Sequence, residues 1–284
     1  MQDPESVSTK PNLPRAAIKP LALNFARQYD PDKADRKFVT ALARGLEILQ
    51  VFQGHPGAIS NKDIAVITGM PKATVTRLTY TLMGMGYLRR LRGKYELSPA
   101  VLTLGYPLLS NSRVRHVAHD HMEELARIGG CTVCLAAADQ LSMVYIDECC
   151  GNSTTSLRID IGARLEMARS SIGRAYLAGV KEDMRRELFA QLEEHYGKEW
   201  PELRQRIDDA AEQIRSRGFC IVDREWRKDT RTIAAPIVSP DGNTVMAMNC
   251  GAPTFSMSRE TLEQDFGPRL VHIAKTASLF LVEK

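Results

Sequence analysis

The residues best suited to chemistry lie between Lys72 and Lys94, and the chemistry they suit is recognition of a polyanion. At 100° per residue, Ala73, Thr76, Arg77 and Tyr80 fall on one face of a helix, with Lys72 and Thr74 on its flanks. The other face carries Val75, Leu78, Leu82 and Met85 at spacings of three, four and three, a single apolar stripe. A surface helix that presents short hydroxyls, an Arg and a Tyr can lie in a major groove, where base edges offer matching donors and acceptors. Arg89, Arg90, Arg92 and Lys94 follow within LRRLRGKYEL, which predicts a small basic hairpin turning at Arg92-Gly93.

These side chains need a frame, and the segment Ser60–Tyr87 supplies one. Ser60 followed three residues later by Asp63 resembles a capping box, with Asp in place of Glu or Gln. Gly69 ends that first helix, and Pro71 opens the next at a position where a missing N–H costs nothing. The expected elements are a helix over Lys37–Gln53, a second over Asn61–Thr68 and a third over Pro71–Met85. In the first, Val39, Leu42, Leu46 and Leu49 form the face directed at the other two. Strands Tyr87–Leu91 and Lys94–Leu97 then form a wing. This is the layout of a winged helix-turn-helix.

A chain of 284 residues is long enough for about two domains. The net charge of +4 is unevenly placed. Residues 36–98 hold ten Lys and Arg against Glu47, Asp63 and Glu96, a net of +7. Residues 1–35 are balanced, so residues 99–284 sum to −3. The positive charge therefore sits where phosphate neutralisation needs it. No run of about 18 apolar residues occurs, and the N-terminal stretch lacks a charged-then-apolar signal pattern, so a cytoplasmic location with no membrane partner is expected.

Six cysteines raise the question of a metal or disulfide site. Cys131 and Cys134 form one C-x-x-C, but no second pair completes a four-ligand zinc pattern, and CTVCLAAA reads as a strand entry. Cys149 and Cys150 are neighbours that point to opposite faces of a strand. His116, His119 and His121 cluster on a helix without a companion carboxylate motif. Buried reduced thiols, no metal and no cofactor are the expectation. The chain also lacks G-x-G-x-x-G, G-x-x-x-x-G-K-[ST] and G-x-S-x-G, which excludes the common nucleotide-binding and hydrolase signatures.

The remaining organisation divides into four parts. Residues 1–35, with Pro4, Pro11, Pro14, Pro20 and Pro31, read as a flexible tail in which LALNFARQY can form a short helical arm. The winged helix-turn-helix covers 36–98. Residues 99–112 read as a linker helix rich in Val101, Leu102, Leu104, Leu108 and Leu109, apolar enough that it must bury itself on its own domain or on a second subunit. From 113 to 284 helices alternate with hairpins. Val114–Ile128 reads as a helix, TVCLAAAD-QL-SMVYIDEC as a hairpin and SLRIDI as a strand. Helices over Ser171–Val180, Lys181–Tyr196 and Leu203–Arg217 follow. Strands FCIVDREW, TIAAPIVS and TVMAMNCGAP and a last helix over about Arg259–Val282 complete the chain. Hairpins between helices indicate an antiparallel-centred α/β sheet and an α+β fold overall.

Several blocks then agree with one family. ALARGLEIL (41–49), MPKATVTRL (70–78), GKYELSPAVLTLG (93–105), IGARLEMARSSIGRAYLA (161–178) and RSRGFCIVDREWRKDTRTIAAPIVSPDGN (215–243) resemble, in order and spacing, the IclR family of bacterial transcriptional regulators over about residues 36–282. The resemblance implies an N-terminal winged helix-turn-helix, a linker helix and a C-terminal GAF-like α/β domain that binds a small effector. It also implies a homodimer, often paired into a homotetramer, on a near-palindromic double-stranded DNA operator. In such a reader Lys72, Arg89, Arg90, Arg92 and Lys94 contact phosphates, while Thr76, Arg77 and Tyr80, with Thr74 at the edge, address base edges. Ala73 stands where the family usually carries Ser, so operator preference does not transfer from relatives.

For the effector, the resemblance implies a pocket lined by Leu157, Ile159 and Leu165; by Ser170, Ser171 and Ile172; by Val222 or Asp223; by Thr232; and by Asn249 with Gly251. Backbone N–H groups of Ser171 and Ile172 at a helix start suit a carboxylate. Thr232 and Asn249 can bond that carboxylate or a ring hydroxyl. Val222 replaces an acid found in some members and Thr232 a Cys, which favours a larger or aromatic acid over a very small one. Arg169 reads either as a carboxylate partner or as an outward-facing side chain. The function implied is ligand-responsive control of a catabolic operon, without enzymatic activity. The alternative is a small-molecule-handling enzyme with a fused DNA-binding module, in which Cys220, Cys250 or Asp223 would carry the chemistry; none has an evident partner among the histidines.

Overall fold

A computed structural model describes residues 37–281 apart from 54, 56, 152–159 and 226. The expectations for the N-terminal tail and for most of SLRIDI therefore lie outside the described residues, as do the candidate pocket residues Leu157 and Ile159. The first unit contains α1 (Thr40–Gln50), α2 (Asn61–Thr68), α3 (Lys72–Gly84) and the antiparallel pair β1 (Leu88–Leu91) and β2 (Lys94–Leu97). Ile59 bridges to Tyr95 through two backbone hydrogen bonds of 2.7 and 2.8 Å, which tie the wing to the segment before α2. One small core holds the unit together, built from Ile48, Val51, Phe52, Ile64, Met70, Val75, Leu82, Leu88 and Tyr95.

The local signals act where expected at both ends of α2. Ser60 Oγ accepts from the Asp63 N–H at 3.2 Å, and Gly69 closes the helix at φ 71°. The reciprocal half of the capping box differs: the Ser60 hydroxyl donates to the Asp63 carboxylate at 2.6 Å. Pro71 is the residue before α3 rather than its first residue. The apolar face of α1 differs from the expectation, whereas on α3 Val75, Leu78 and Leu82 pack inward as expected and only the end of the stripe departs. On α1 the buried residue is Ile48, while Val39, Leu42 and Leu46 are 62, 63 and 49% exposed. Of the predicted inward stripe only Leu49 packs on the core and the rest faces out, because Ile48, Val51 and Phe52 already fill it. On α3 Met85 is exposed and Thr79 is fully buried, its hydroxyl satisfied by the Val75 carbonyl at 2.8 Å.

A 3₁₀ turn (Pro99–Val101) leads into α4 (Leu102–Ser110), a helix with no buried residue. The second unit follows: α5 (Arg113–Gly129), β3 (Thr132–Asp139), β4 (Ser142–Cys150), β5 (Arg164–Glu166), α6 (Ser171–Gly179), α7 (Glu182–Tyr196), α8 (Trp200–Arg217), β6 (Cys220–Asp223), β7 (Thr230–Val238) and β8 (Val245–Pro253). The strands form a six-stranded sheet in the order β5-β4-β3-β8-β7-β6, antiparallel at each pairing. Both faces are buried. One packs on α5 and the C-terminal helix through Val133, Leu135, Ile233 and Met248; the other packs on α6, α7 and α8 through Cys134, Ala136, Tyr145 and Ala234. Pro236 is tolerated in β7 because β6 pairs only as far as Ala234, which leaves that stretch of edge free of a donor requirement.

The C-terminal helix is shorter and less regular than expected. A turn at Arg259–Thr261 runs through a π-type turn (Leu262–Phe266) into α9 (Gly267–Ser278). Pro268 has no N–H for the i−4 carbonyl, and the helix absorbs the missing bond by widening just before it. Gly267 is also required there: a Cβ would lie 2.2 Å from Phe219 Cζ.

Because Ile48 is fully buried at the centre of the smaller core, Ile48→Ala is expected to cost about 2–5 kcal/mol in a urea melt of the N-terminal transition. A loss under about 1 kcal/mol would contradict this assignment.

Candidate functional site

The surface of α3 is divided by its packing. Val75, Thr79 and Leu82 face inward, leaving Lys72, Ala73, Thr76, Arg77 and Tyr80 exposed, Tyr80 to 76%; Thr74 is half-buried at the edge. No side chain caps the start of α3, so its first amides face outward with the positive end of the helix dipole. Thr76 is less free than its position suggests. Its hydroxyl donates to the Lys72 carbonyl at 2.9 Å and accepts from Asn61 Nδ2 at 3.1 Å. Asn61, half-buried at the start of α2, therefore adjoins this surface through its bond to Thr76, a contact between two helices that the sequence pattern does not record. Arg77 and Tyr80 make no side-chain hydrogen bond among the described residues.

The wing turns through Arg92 at φ 48° and Gly93 at φ 81°, two successive left-handed residues that match the twist of a tight hairpin. Arg89 is paired with Glu96 at 2.6 Å, so part of its charge is spent within the hairpin. Arg90 and Arg92 are exposed and form no ion pair among the described residues, and Lys94 is exposed within electrostatic reach of Asp63. The Ser60 hydroxyl, with Lys94 and Lys62 nearby, holds the Asp63 carboxyl below its usual range.

The second cluster lies on the α6 side of the sheet. Register sets Val222, Thr232, Gly251 and Thr132 in one row across β6, β7, β8 and β3, and Cys220, Ala234, Asn249 and Cys134 in the next. Ser170 caps α6 by accepting from the Gly173 N–H at 3.2 Å, while its hydroxyl donates to the Glu166 carbonyl at 2.7 Å. Ser170, Ser171 and Ile172 are all buried. Gly173 allows the close approach: a Cβ would lie 2.1 Å from the Met167 carbonyl oxygen. The structure thus brings Leu165, Ser170, Ser171, Ile172, Val222, Thr232, Asn249 and Gly251 to one side of the sheet. Asp223 is set apart. It alternates to the other face, where it pairs with Arg231 at 3.0 Å. Of the two residues, Val222 lies on the side of the sheet that carries the other candidates.

Two side chains in this cluster were missed. Tyr145 is 1% exposed, and its hydroxyl lies 3.4 Å from Asn249 Nδ2. Arg174 is buried on α6, where Nε donates to the Ala168 carbonyl at 3.1 Å and the Nη atoms reach Glu225 at 2.7 and 3.2 Å. Burial pushes the Glu225 carboxyl up, but Arg174 and Arg206 outweigh it and hold it below its usual range. Arg169, in contrast, points outward. It pairs with Glu166 and Glu199 and lies over the Tyr196 ring, so its charge is already met at the surface.

The other chemical candidates have structural roles. Cys131 and Cys134 belong to opposite faces of the sheet, so the C-x-x-C does not converge on one point. His119 Nδ1 lies 2.9 Å from the buried Asp147 carboxylate, which Arg115 also reaches at 3.3 Å; both anchor α5 to β4. Burial raises the Cys220 thiol to about 12. Cys250 lies 3.2 Å from the Cys131 sulfur, and that contact together with burial raises its thiol well above the usual value. Neither thiol has the exposure of a nucleophile: both are buried, and at Cys220 burial outweighs the nearby Arg174 and Arg217.

Comparison with known proteins decides the family. Residues 41–92 match the family described as the IclR helix-turn-helix domain, and residues 107–279 match the bacterial transcriptional regulator IclR C-terminal domain. The chain belongs to the IclR family. A crystal structure of an IclR-family transcriptional regulator from Brucella abortus is 42% identical, covers 88% of this chain and 95% of its own, and superposes with a TM-score of 0.75. The HTH-type transcriptional regulator TsaQ1/TsaQ2 of Comamonas testosteroni is 31% identical over 82% of this chain and 84% of that protein. The Pca regulon regulatory protein of Pseudomonas putida is 28% identical over 94% of this chain and 93% of its own. The IclR-type architecture places DNA-binding in the unit that carries α3 and the wing. It places effector-binding in the unit built on the sheet. No described helix is long and apolar enough to cross a membrane.

The thiols of this IclR-family chain carry a direct test. Cys131, Cys134, Cys149, Cys220 and Cys250 are buried and Cys150 is exposed. Burial and the nearby Asp147 carboxylate raise the Cys149 thiol to about 12, and burial raises Cys134 well above its usual value. At pH 7.5 a thiol-disulfide reagent is expected to label one cysteine rapidly and the other five only on unfolding. Cys150→Ser should abolish the fast phase; its survival in that variant would contradict the placement.

Proposed function

We propose that this chain is a ligand-responsive regulator that controls a catabolic operon from the cytoplasm in response to a small organic acid, aromatic acids included. In this reading it binds a near-palindromic operator as a homodimer, with a homotetramer as the further assembly. The observation that carries it is the division of α3, whose inward face is packed and satisfied while Lys72, Arg77 and Tyr80 stand exposed beside a basic wing in which Arg90 and Arg92 form no ion pair among the described residues. Arg77 and Tyr80, with Thr76, Thr74 and Asn61 at their side, address base edges. The amides at the start of α3, with Lys72, Arg90, Arg92 and Lys94, hold phosphates; Arg89 contributes less because Glu96 shares its charge.

The effector reading rests on the α6 side of the sheet. Buried Ser171 and Ile172 amides at the start of a nine-residue helix favour a carboxylate. Leu165, Ile172 and Val222 cover an apolar body, and Thr232, Asn249 and Gly251 supply the polar edge. That the similar P. putida protein is named for a regulon supports control of a set of pathway genes.

Dimerisation is supported by apolar surface in two places. Val39 just before α1, Leu42 and Leu46 on it, and Leu102, Leu104, Tyr106 and Leu108 on α4 are exposed in the single chain. Covering seven such side chains is worth on the order of 10 kcal/mol, comparable to the entropic cost of pairing two chains. A second copy seated on them would set two α3 helices about one DNA turn apart.

Two experiments test this reading. DNA selected by the protein from a random pool is titrated at several salt concentrations. The logarithm of affinity should fall steeply with the logarithm of salt, and Arg77→Ala should lower the preference for selected over random DNA by about tenfold or more. Equal weakening on both DNAs would make Arg77 a phosphate contact. In sedimentation, Leu46→Glu with Leu104→Glu should convert a dimer or larger species to monomer and cut operator affinity sharply; an unchanged assembly would refute the interface.

A further inference from the structure

The polar chemistry on the sheet floor is more specific than a carboxylate site requires. Asn249 is 6% exposed, yet its Oδ1 has no hydrogen-bond partner among the described residues. Its Nδ2 is 3.4 Å from the Tyr145 hydroxyl, and Tyr145 is 1% exposed in the same apolar cluster as Cys134, Leu165 and Ile172. Burial raises the Tyr145 phenol well above its usual value, so it stays protonated and remains a donor. With Nδ2 donating to Tyr145, the pair keeps a free acceptor, Asn249 Oδ1, and free donors in the Tyr145 O–H and the second Nδ2 hydrogen. If the amide is turned over, the roles exchange: Tyr145 donates to Oδ1, and the pair keeps a free Nδ2 donor and a free phenol lone pair. Either way it presents at least one donor beside one acceptor in an apolar setting. The neighbouring Thr232 hydroxyl does not compete, because it donates to the Val222 carbonyl at 3.4 Å.

We propose that Tyr145 and Asn249 together read a neutral hydroxyl group on the effector, so that its ligand class is a hydroxy-substituted organic acid. A hydroxyl donates one hydrogen and accepts another, so it completes both halves of the pair with a single atom. A hydrogen or methyl at that position leaves both halves unmet, and an ether or ketone leaves the acceptor unmet; each is a cost a buried site does not tolerate well. The proposal rests on the acid-effector reading above. It adds that Tyr145 and Asn249 set specificity, while the helix start at Ser171 supplies affinity for the carboxylate end.

The test uses the full chain and calorimetric titration with benzoate, its three monohydroxy derivatives and the three matching methoxybenzoates. Pentanoate and 5-hydroxypentanoate serve as an aliphatic pair. One hydroxy acid should bind about tenfold to a hundredfold more tightly than both its unsubstituted and its methoxy counterparts. In Tyr145→Phe, and separately in Asn249→Leu, that ratio should collapse toward one. A purely structural role for either residue would weaken all acids together and leave the ratio intact, which overturns the proposal. Unsubstituted and hydroxy acids binding equally to the wild-type chain would overturn it too, while the acid-effector reading stands. If no acid of either series binds, that reading fails and this inference fails with it. Melting curves of both variants report folding, and either variant alone suffices.

Discussion

A sheet buried on both faces must assign every side chain to one helical layer or the other, and most of this molecule follows from that constraint. Strands alternate with period two, so pairing register decides which residues share a layer. Across β6, β7, β8 and β3 the alternation is regular, and it gathers Val222, Thr232, Asn249 and Cys134 beneath α6. In β4 the register shifts opposite Leu135 and Ala136, and Ile146 is the extra residue. The bulge lets Ile146 and Asp147 both face α5 while Tyr145 faces α6. Without it, Asp147 would point into the apolar α6 layer, away from the Arg115 and His119 that satisfy it.

The same strand thus joins two chemistries. On one side, Tyr145 meets Asn249 in a dry cluster. On the other, the buried Asp147 carboxylate is compensated by Arg115 and His119 near the start of α5. That helix follows the linker helix α4 directly, with Ser112 capping it through the Arg115 N–H. The effector-binding sheet and the segment that leads back to the DNA-binding unit are therefore fastened together at β4, two residues from the polar pair on its opposite face.

The N-terminal unit was largely legible because its determinants are local. A Ser cap, a left-handed Gly, a 3.6-residue apolar period and an Arg-Gly turn act within a few residues of themselves, and each appears where the spacing placed it. The misread face of α1 has a different origin. That helix has apolar residues on both sides, and periodicity cannot say which side the small core takes and which is left outward. In the second unit the hairpins and most helices were recognisable. The widened turn at Leu262–Phe266 was not anticipated, although Pro268 carried its signal, whereas the need for Gly267 became visible only once Phe219 was seen to press against it.

From the sequence alone follow the winged helix-turn-helix, its outward face, the basic wing and the family, because these rest on local propensity, charge and ordered motifs. Only the tertiary structure decided that Val222 and not Asp223 lies beneath α6, that Arg169 is spent on surface acids, and that the C-x-x-C is split across the sheet. It alone brought Tyr145 to Asn249, residues 104 positions apart in sequence. Register and a single bulge settle such matters, and both are set by pairing between distant strands, which no local pattern records.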